Sequence, residues 1–223
     1  WFAPRGVEPE VEQYSWKRQN WFEYVAAEHR AVREGVGLMD LSLMTKFLVQ
    51  GRDAETALNR ICANNVAVPV GRCVYTQWLN ERGTIEADLT VTRLAEDSYL
   101  VVCTGMMHVY TWLKRHIPPE AHVFVTDVTS AYTLITVQGP QSRQLLSGLT
   151  AVDLSDEAFP YMTTQEIDIG YAPVRALRLT YVGELGWELY IPTEFALHVY
   201  ETLVEAGSEA GLAHAGLQAL DSL

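Results

Sequence analysis

Phe47-Leu48-Val49-Gln50-Gly51 returns as Ile135-Thr136-Val137-Gln138-Gly139, an offset of 88 counted from residue 47 to residue 135. Each run reads as a strand closed by a glycine turn, with a helical stretch behind it. Ala54, Ala57, Leu58 and Ile61 mark that stretch in the first copy, Leu145 and Leu146 in the second. A second pair repeats the relation. His108-Val109-Tyr110-Thr111-Trp112-Leu113 recurs as His198-Val199-Tyr200-Glu201-Thr202-Leu203, an offset of 90 from residue 108 to residue 198. In both, Val, Tyr and Leu fall on one helical face, and each helix follows an apolar strand, at 99–103 and at 187–191. Two motif pairs at nearly one offset predict an internal duplication.

Between the paired helices lie strands 73–79 and 85–93, around the turn Asn80-Glu81-Arg82-Gly83, and strands 161–169 and 174–181, around Gly170. Each copy reads β-α-β-β-β-α or β-α-β-β-α-β, according to where its boundaries are drawn. The predicted fold is α+β, with two pseudo-repeated lobes of split-βαβ, ferredoxin-like character. Residues 1–20 read as an extended lead-in arm, with Pro4, Gly6, Pro9 and two of the three tryptophans found before residue 22, so the arm is expected to pack on something. Asn20 is a candidate cap for a helix at 21–34. The first lobe is expected over 21–128, the second over 129–212, and the start of a further helix over 213–223.

With 48% hydrophobic and 20% charged residues in a chain of 223, the composition is that of a globular protein with a sizeable core. The net charge of −12 disfavours nonspecific partnership with nucleic acid or anionic membranes. No apolar run approaches a membrane span. A start at Trp1, with neither methionine nor leader, predicts a segment of a longer protein. Cys62, Cys73 and Cys103 form no CxxC and are expected to be small buried hydrophobes in a reducing compartment. The six histidines show no ligand spacing, so no metal site is expected.

Two segments are candidates for chemistry. In 85–92, Ile85, Ala87, Leu89 and Val91 share one strand face, while Glu86, Asp88, Thr90 and Thr92 share the other. That polar face either meets water or lines a cleft that partly desolvates Asp88. In 181–188, Tyr181-Val182-Gly183-Glu184-Leu185-Gly186-Trp187-Glu188 is either an ordinary hairpin or a turn that brings Tyr181 and Glu188 toward a flat heterocycle. No GxGxxG or GK[ST] occurs, so neither a phosphate loop nor flavin binding is expected within the chain.

The stretch Tyr75-Thr76-Gln77-Trp78-Leu79-Asn80-Glu81-Arg82-Gly83-Thr84-Ile85-Glu86-Ala87-Asp88-Leu89 resembles the Y-x3-LN-x2-G-x4-DL segment of the aminomethyltransferase (glycine cleavage T-protein) family. Tyr181 through Leu189 is similar to that family's Y-T/V-G-E-x-G-x-E segment. Trp21-Phe22-Glu23 and Gly37-Leu38-Met39-Asp40-Leu41-Ser42 resemble the folate-binding C-terminal region of FAD-dependent dimethylglycine and sarcosine dehydrogenases. The resemblance runs over essentially the whole chain and implies a tetrahydrofolate pocket between the lobes. In it Asp88 is the catalytic carboxylate, stabilising a cationic one-carbon unit and relaying protons. Glu188 recognises the pteridine, and Tyr75, Thr90 and Tyr181 line the pocket. Where T-proteins carry an asparagine after the Leu-Val-Val strand, this chain has Cys103-Thr104, which makes Thr104 the matching polar contact.

The implied reaction yields 5,10-methylenetetrahydrofolate from an amine-derived one-carbon unit, with FAD confined to another domain of the parent. The family continues beyond Asp-Ser-Leu with an arginine-bearing helix and a C-terminal barrel, so the isolated chain is expected to be inactive. The implied compartment is the cytoplasm of a bacterium or the mitochondrial matrix of a eukaryote. The contrasting reading is a non-catalytic folate-binding, regulatory or structural module of the same fold.

Overall fold

The computed structural model describes residues 1–3, 6–8 and 10–223. Its elements are α1 (Phe22–Glu34), β1 (Gly37–Asp40), β2 (Thr45–Gln50), α2 (Ala54–Ile61), β3 (Cys73–Leu79), β4 (Ile85–Ala95), β5 (Ser98–Cys103), α3 (Met106–His116) and β6 (Phe124–Asp127). There follow β7 (Tyr132–Gln138), α4 (Ser142–Ser147), β8 (Thr164–Ile169), β9 (Ala172–Leu177), β10 (Gly186–Pro192), α5 (Ala196–Gly207), β11 (Ala213–His214) and α6 (Leu217–Ser222).

Two sheets result, ordered β3-β4-β5-β2-β6 and β11-β1-β7-β10-β9-β8. Alternation along each strand divides the side chains between two layers. Phe47, Val49, Leu89, Val91, Tyr99 and Val101 bury one face of the first sheet under α2 and α3. Ile135, Val137, Val174, Leu189 and Ile191 do the same for the second sheet, against residues of α4 and α5. The remaining faces meet each other through Cys73, Leu100 and Val102 on one side and Met39, Leu134, Leu177 and Tyr190 on the other. The order is therefore helices, sheet, sheet, helices. Backbone bonds from Cys73 to Met162 (2.9 Å) and from Thr164 to Gly71 (2.8 Å) stitch one margin of the sandwich.

The Val-Gln-Gly motifs occupy matching places. Gly51 and Gly139 have φ of +130° and +127°, and each ends a strand three residues before a helix begins. Their amides bond in parallel fashion, Gly51 to Asp97 O (2.9 Å) and Gly139 to Leu185 O (2.8 Å).

Two of the expected boundaries shift. β1 falls within 21–128 yet pairs antiparallel with β7 and parallel with β11, so it belongs to the second sheet. The reason is its face pattern: Leu38 joins the helix-covered core of that sheet, and Met39 joins the layer between the sheets. Within 213–223 a two-residue strand precedes the helix, because Ala213 and Ala215 donate to Val36 O and Leu38 O beside β1.

The arm packs as expected at its start, where Trp1 stacks on Tyr24 with ring centroids 4.9 Å apart. Trp16 instead lies in solvent, and Pro4 and Pro9 lie outside the described residues. Asn20 does not cap α1. Its amide bonds back into the arm, to Val11 O (3.0 Å) and Glu10 (3.1 Å), and the capping position falls on Trp21. No helix among the described residues is long and apolar enough to cross a membrane.

Candidate functional site

β4 supplies the first acidic group. Ala87, Leu89 and Val91 point into the helix-covered core, which turns Asp88, Thr90 and Thr92 toward the opposing sheet. That face grades from exposed at Asp88, through half-buried at Thr90, to buried at Thr92. Ile85 departs from the expected alternation and is exposed, since the register slips at a bulge opposite Trp78 and Leu79. Tyr75 sits directly across from Thr90, and its hydroxyl donates to Asp88 Oδ2 at 2.7 Å. That bond is the main cause holding the Tyr75 phenol above its ordinary value, and the nearby Tyr181 phenol adds to it. Thr104 lies one step past the Leu89–Cys103 pair, exposed at the same end of β4, with no hydrogen bond of its own side chain among the described residues.

β10 supplies the second. Glu188 pairs with Thr136 and Leu177, which turns it toward the first sheet. Its Oε2 accepts the Tyr190 hydroxyl at 2.6 Å. Burial pushes the Glu188 carboxyl above its ordinary range, while the Tyr190 hydroxyl and the charge of Lys46 oppose that rise. Burial, with help from Glu188, also drives the Tyr190 phenol well up. A carboxyl whose pKa is raised on folding stabilises the fold fully below its ordinary value and loses that contribution as pH climbs through the raised one. Glu188→Gln, neutral throughout, should therefore gain Tm relative to wild type as pH goes from 4.5 to 8. At this chain length each kcal/mol is about 2–4 °C, and a difference that shrinks with rising pH would contradict the assignment.

The strand expected at 174–181 stops at Leu177, so Tyr181 stands on a loop instead of a strand end. Side chains from elsewhere capture the carbonyls that a tight ladder would have used. Arg33 of α1 reaches Val182 O (2.9 Å) and Glu184 (2.8 Å), and Gln138 of β7 reaches Leu179 O (3.2 Å). The pinned loop leaves Tyr181 78% exposed.

Tyr75, Asp88, Thr90 and Tyr181 are thus brought together at an open margin. Glu188 and Tyr190 lie deeper between the sheets, near Cys73, whose thiol feels Thr92, Thr90 and the Glu188 charge, and Lys46 is buried on β2 with its ammonium on Ser42 O and Met44 O. Cavities of ≈ 190 and ≈ 450 Å³ open elsewhere, beside Phe2 and Asp40, and none of the six expected site residues lines either.

Lys46 and Tyr190 were not anticipated. Each follows from period-two reading: Lys46 shares a face with Leu48, and Tyr190 shares one with Glu188. All three cysteines are free and buried. Burial pushes the Cys73 and Cys103 thiols up to about 12 and Cys62 to about 11, which makes them unreactive. Among the described residues, no group of three or more His, Cys, Asp or Glu side chains could hold a metal ion.

Two facing sheets under outer helices make this an α+β domain, and its fold is similar to that of aminomethyltransferase T of the glycine cleavage system. The family model described as the GCVT N-terminal domain matches residues 5–223, and the chain belongs to that family. It is 43% identical to the 4-methylaminobutanoate oxidase (formaldehyde-forming) of Paenarthrobacter nicotinovorans, over 100% of this chain and 27% of that protein. It is 35% identical to the mitochondrial pyruvate dehydrogenase phosphatase regulatory subunit of Mus musculus, over 92% of this chain and 24% of that one. Identity to the mitochondrial dimethylglycine dehydrogenase of Mus musculus is 36%, over 100% and 26%. Among solved structures, aminomethyltransferase T of the Bartonella henselae glycine cleavage system superposes with a TM-score of 0.77 at 28% identity, covering 89% of this chain and 53% of that one. The chain therefore spans about a quarter of the length of these curated relatives.

Proposed function

We propose that this domain binds tetrahydrofolate between its two sheets and transfers an amine-derived one-carbon unit to it, giving 5,10-methylenetetrahydrofolate. The observation that carries this reading is the matched state of the two carboxylates. Asp88 and Glu188 each commit one oxygen to a tyrosine hydroxyl, while Asp88 Oδ1 and Glu188 Oε1 accept no hydrogen bond among the described residues. A free carboxylate oxygen beside a fixed one suits a ligand rich in N–H donors, and such charge-assisted bonds contribute roughly 1.5–3 kcal/mol each.

The surroundings fit the same ligand. Thr92 Oγ1 and Thr136 Oγ1, on the facing sheet surfaces, and Thr180 Oγ1 and Gln138 Oε1, by the Tyr181 loop, are buried without partners. Such groups are costly unless something meets them. Glu188 would hold the amino-pyrimidine edge, and Tyr75, Thr90, Thr104 and Tyr181 would flank the rest. When bound, tetrahydrofolate supplies the nucleophilic nitrogens. Asp88 holds a negative charge near the incoming cation and moves a proton at Oδ1, a role worth about 10²–10⁴ in rate. Tyr75 fixes the carboxylate that does this. Tyr75→Phe should lower transfer about tenfold, for one hydrogen bond to a charged group of roughly 1.5 kcal/mol, with Tm unchanged because Tyr75 is half exposed. A variant with full activity would remove Tyr75 from the site.

The parent is proposed to be an FAD-dependent N-methyl amine dehydrogenase of the dimethylglycine or sarcosine type, with the flavin domain and a C-terminal barrel as the partners of this one. The matching order of β3-β4-β5-β2 and β8-β9-β10-β7 supports two split-βαβ units related by duplication, with β1 in the second sheet taking the fifth place that β6 holds in the first. The test is calorimetric titration of the full-length protein with tetrahydrofolate, followed by an assay for methylenetetrahydrofolate with N-methyl amines. Absence of saturable binding would end the proposal. The regulatory-subunit relative favours a second reading, in which folate binds or the fold persists without transfer. Binding without turnover would select it.

A further inference from the structure

Between the end of β9 at Leu177 and the start of β10 at Gly186, residues 179–184 make no backbone–backbone hydrogen bond among the described residues. Side chains hold this segment instead. Val182 is buried in the layer between the sheets. Gln138 Nε2 donates to Leu179 O at one end (3.2 Å), and Ser142 Oγ donates to Leu185 O just past the other (3.0 Å). At the turn itself the hold comes from Arg33, whose Nη1 donates to Val182 O (2.9 Å) and to Glu184 Oε1 (2.8 Å). Gly183 lies between those two acceptors with φ +82°, and a β-carbon built on it would stand 3.8 Å from the same nitrogen. The chain curls around the guanidinium.

Two features keep that guanidinium in place. Arg33 projects from the last turn of α1, beside Val32, which is fully buried, and two residues before Gly35, whose carbonyl accepts the Gln141 N–H (3.0 Å). Its Nη2 donates to Leu223 O at the end of α6. A planar guanidinium with acceptors on both terminal nitrogens is fixed in orientation as well as in position. Arg33 thus passes the fixed position of α1 to a loop that has no ladder of its own. Tyr181 is the residue before the gripped carbonyl. Its side chain is 78% exposed and makes no hydrogen bond among the described residues, so the backbone decides where the ring stands.

We propose that Arg33 is a positioning residue for Tyr181: by holding the carbonyl on one side of Gly183 and the carboxylate on the other, it fixes the 179–184 segment so that Tyr181 stands at the open margin. The hold on the loop stands on its own, while its use for a flat ligand rests on the reading under Proposed function. Arg33 touches no reacting atom. Asp88 and Tyr75 are carried by β4 and β3, so their chemistry does not pass through it. Loss of Arg33 should therefore weaken binding and spare the rate at saturation, as removal of an interaction made equally in the ground and transition states does.

The loop is read first, by timed chymotrypsin digestion of the full-length protein, with cleavage after Tyr181 mapped by mass spectrometry. Cleavage after Tyr171, also exposed on a turn, is the internal reference. Arg33→Met should raise the ratio of the two rates about tenfold, the fold-change that matches one hydrogen bond to a charged group. An unchanged ratio overturns the proposal, whatever folate does. Should Arg33→Met fail to fold, Glu184→Gln decides, since it removes the carboxylate charge and leaves the bond to Val182 O in place. The ratio should then rise about threefold, and a ratio at the wild-type value overturns the proposal. Binding is read separately, by calorimetry of the full-length protein with tetrahydrofolate. Arg33→Met should lower affinity about tenfold and leave methylenetetrahydrofolate formation at saturating folate within about twofold. In a Tyr181→Ala background the same change should cost nothing further, because the group that Arg33 positions is gone. Equal losses in both backgrounds overturn the proposal in favour of a purely structural arginine. A ratio that rises in a protein that never binds tetrahydrofolate leaves the hold on the loop standing and removes the functional reading instead.

Discussion

In the full-length protein, Asp88→Asn should leave tetrahydrofolate affinity within about twofold of wild type and lower methylenetetrahydrofolate formation by about 10²–10⁴, the usual range for loss of a general acid–base group. The substitution preserves shape. An asparagine carbonyl still accepts the Tyr75 hydroxyl that now donates to Asp88 Oδ2 at 2.7 Å, so Tyr75 keeps its place. What disappears is the negative charge, together with the ability to take a proton and give it back. Asp88 is exposed, so the change costs little in stability, within the ±0.5 kcal/mol typical of surface positions. Single-turnover formation of methylenetetrahydrofolate, set beside calorimetric affinity, separates the two roles. Equal losses in binding and turnover would make Asp88 a binding residue. Undiminished turnover would leave the reaction to some other group, with the non-catalytic reading gaining accordingly.

The contrast with Glu188 sharpens that expectation. Both residues are carboxylates bonded to a tyrosine, yet Asp88 is exposed on β4 and Glu188 is half-buried on β10. Glu188→Gln should therefore act mainly on affinity and on the pH dependence of stability, and Asp88→Asn mainly on rate. A pair of like groups in unlike environments can divide recognition from chemistry in this way.

Much of this arrangement was legible in the chain because period two is unambiguous where one face is apolar. Ala87, Leu89 and Val91 put Asp88 on the polar face of its strand, though that face read either as solvated or as lining a cleft, and the 181–188 turn read either as an ordinary hairpin or as a pairing of Tyr181 with Glu188. What escaped has physical causes. The bulge that exposes Ile85 adds a residue to one strand only, which leaves local alternation intact on paper while moving the side chain. The capture of the Tyr181 loop by Arg33 depends on a contact across 149 residues, which no local pattern encodes. β1 reads locally as a continuation of the first lobe, and only pairing with β7 assigns it to the second sheet. Lys46 was passed over because a lysine in a strand is usually read as a solvated edge, whereas here carbonyls from the preceding turn receive its ammonium.

The Val-Gln-Gly repeat was the most informative stretch, and its glycines make the strongest stability prediction. Gly51 has φ +130°, and a β-carbon built there would lie 2.1 Å from His122 O; Gly139 has φ +127°, with Gly35 O at 2.4 Å. Two penalties coincide at each. A backbone conformation that L-residues rarely adopt costs roughly 1–3 kcal/mol, and forcing a methyl against a main-chain oxygen that cannot rotate away costs about 1–3 kcal/mol more. Gly51→Ala or Gly139→Ala should thus remove about 2–6 kcal/mol, a large share of the roughly 5–15 kcal/mol that holds a typical domain together. Gly83→Ala is the control, since its φ is +76° but nothing lies within 4 Å of the added carbon. It should cost about 1 kcal/mol through the backbone alone. Denaturant midpoints of the three variants separate close approach from backbone strain. If all three fall together, the close contacts are not what requires glycine at 51 and 139. If the first two fall far below the third, a shared steric demand at the two strand-to-helix turns explains why Val-Gln-Gly occurs at both.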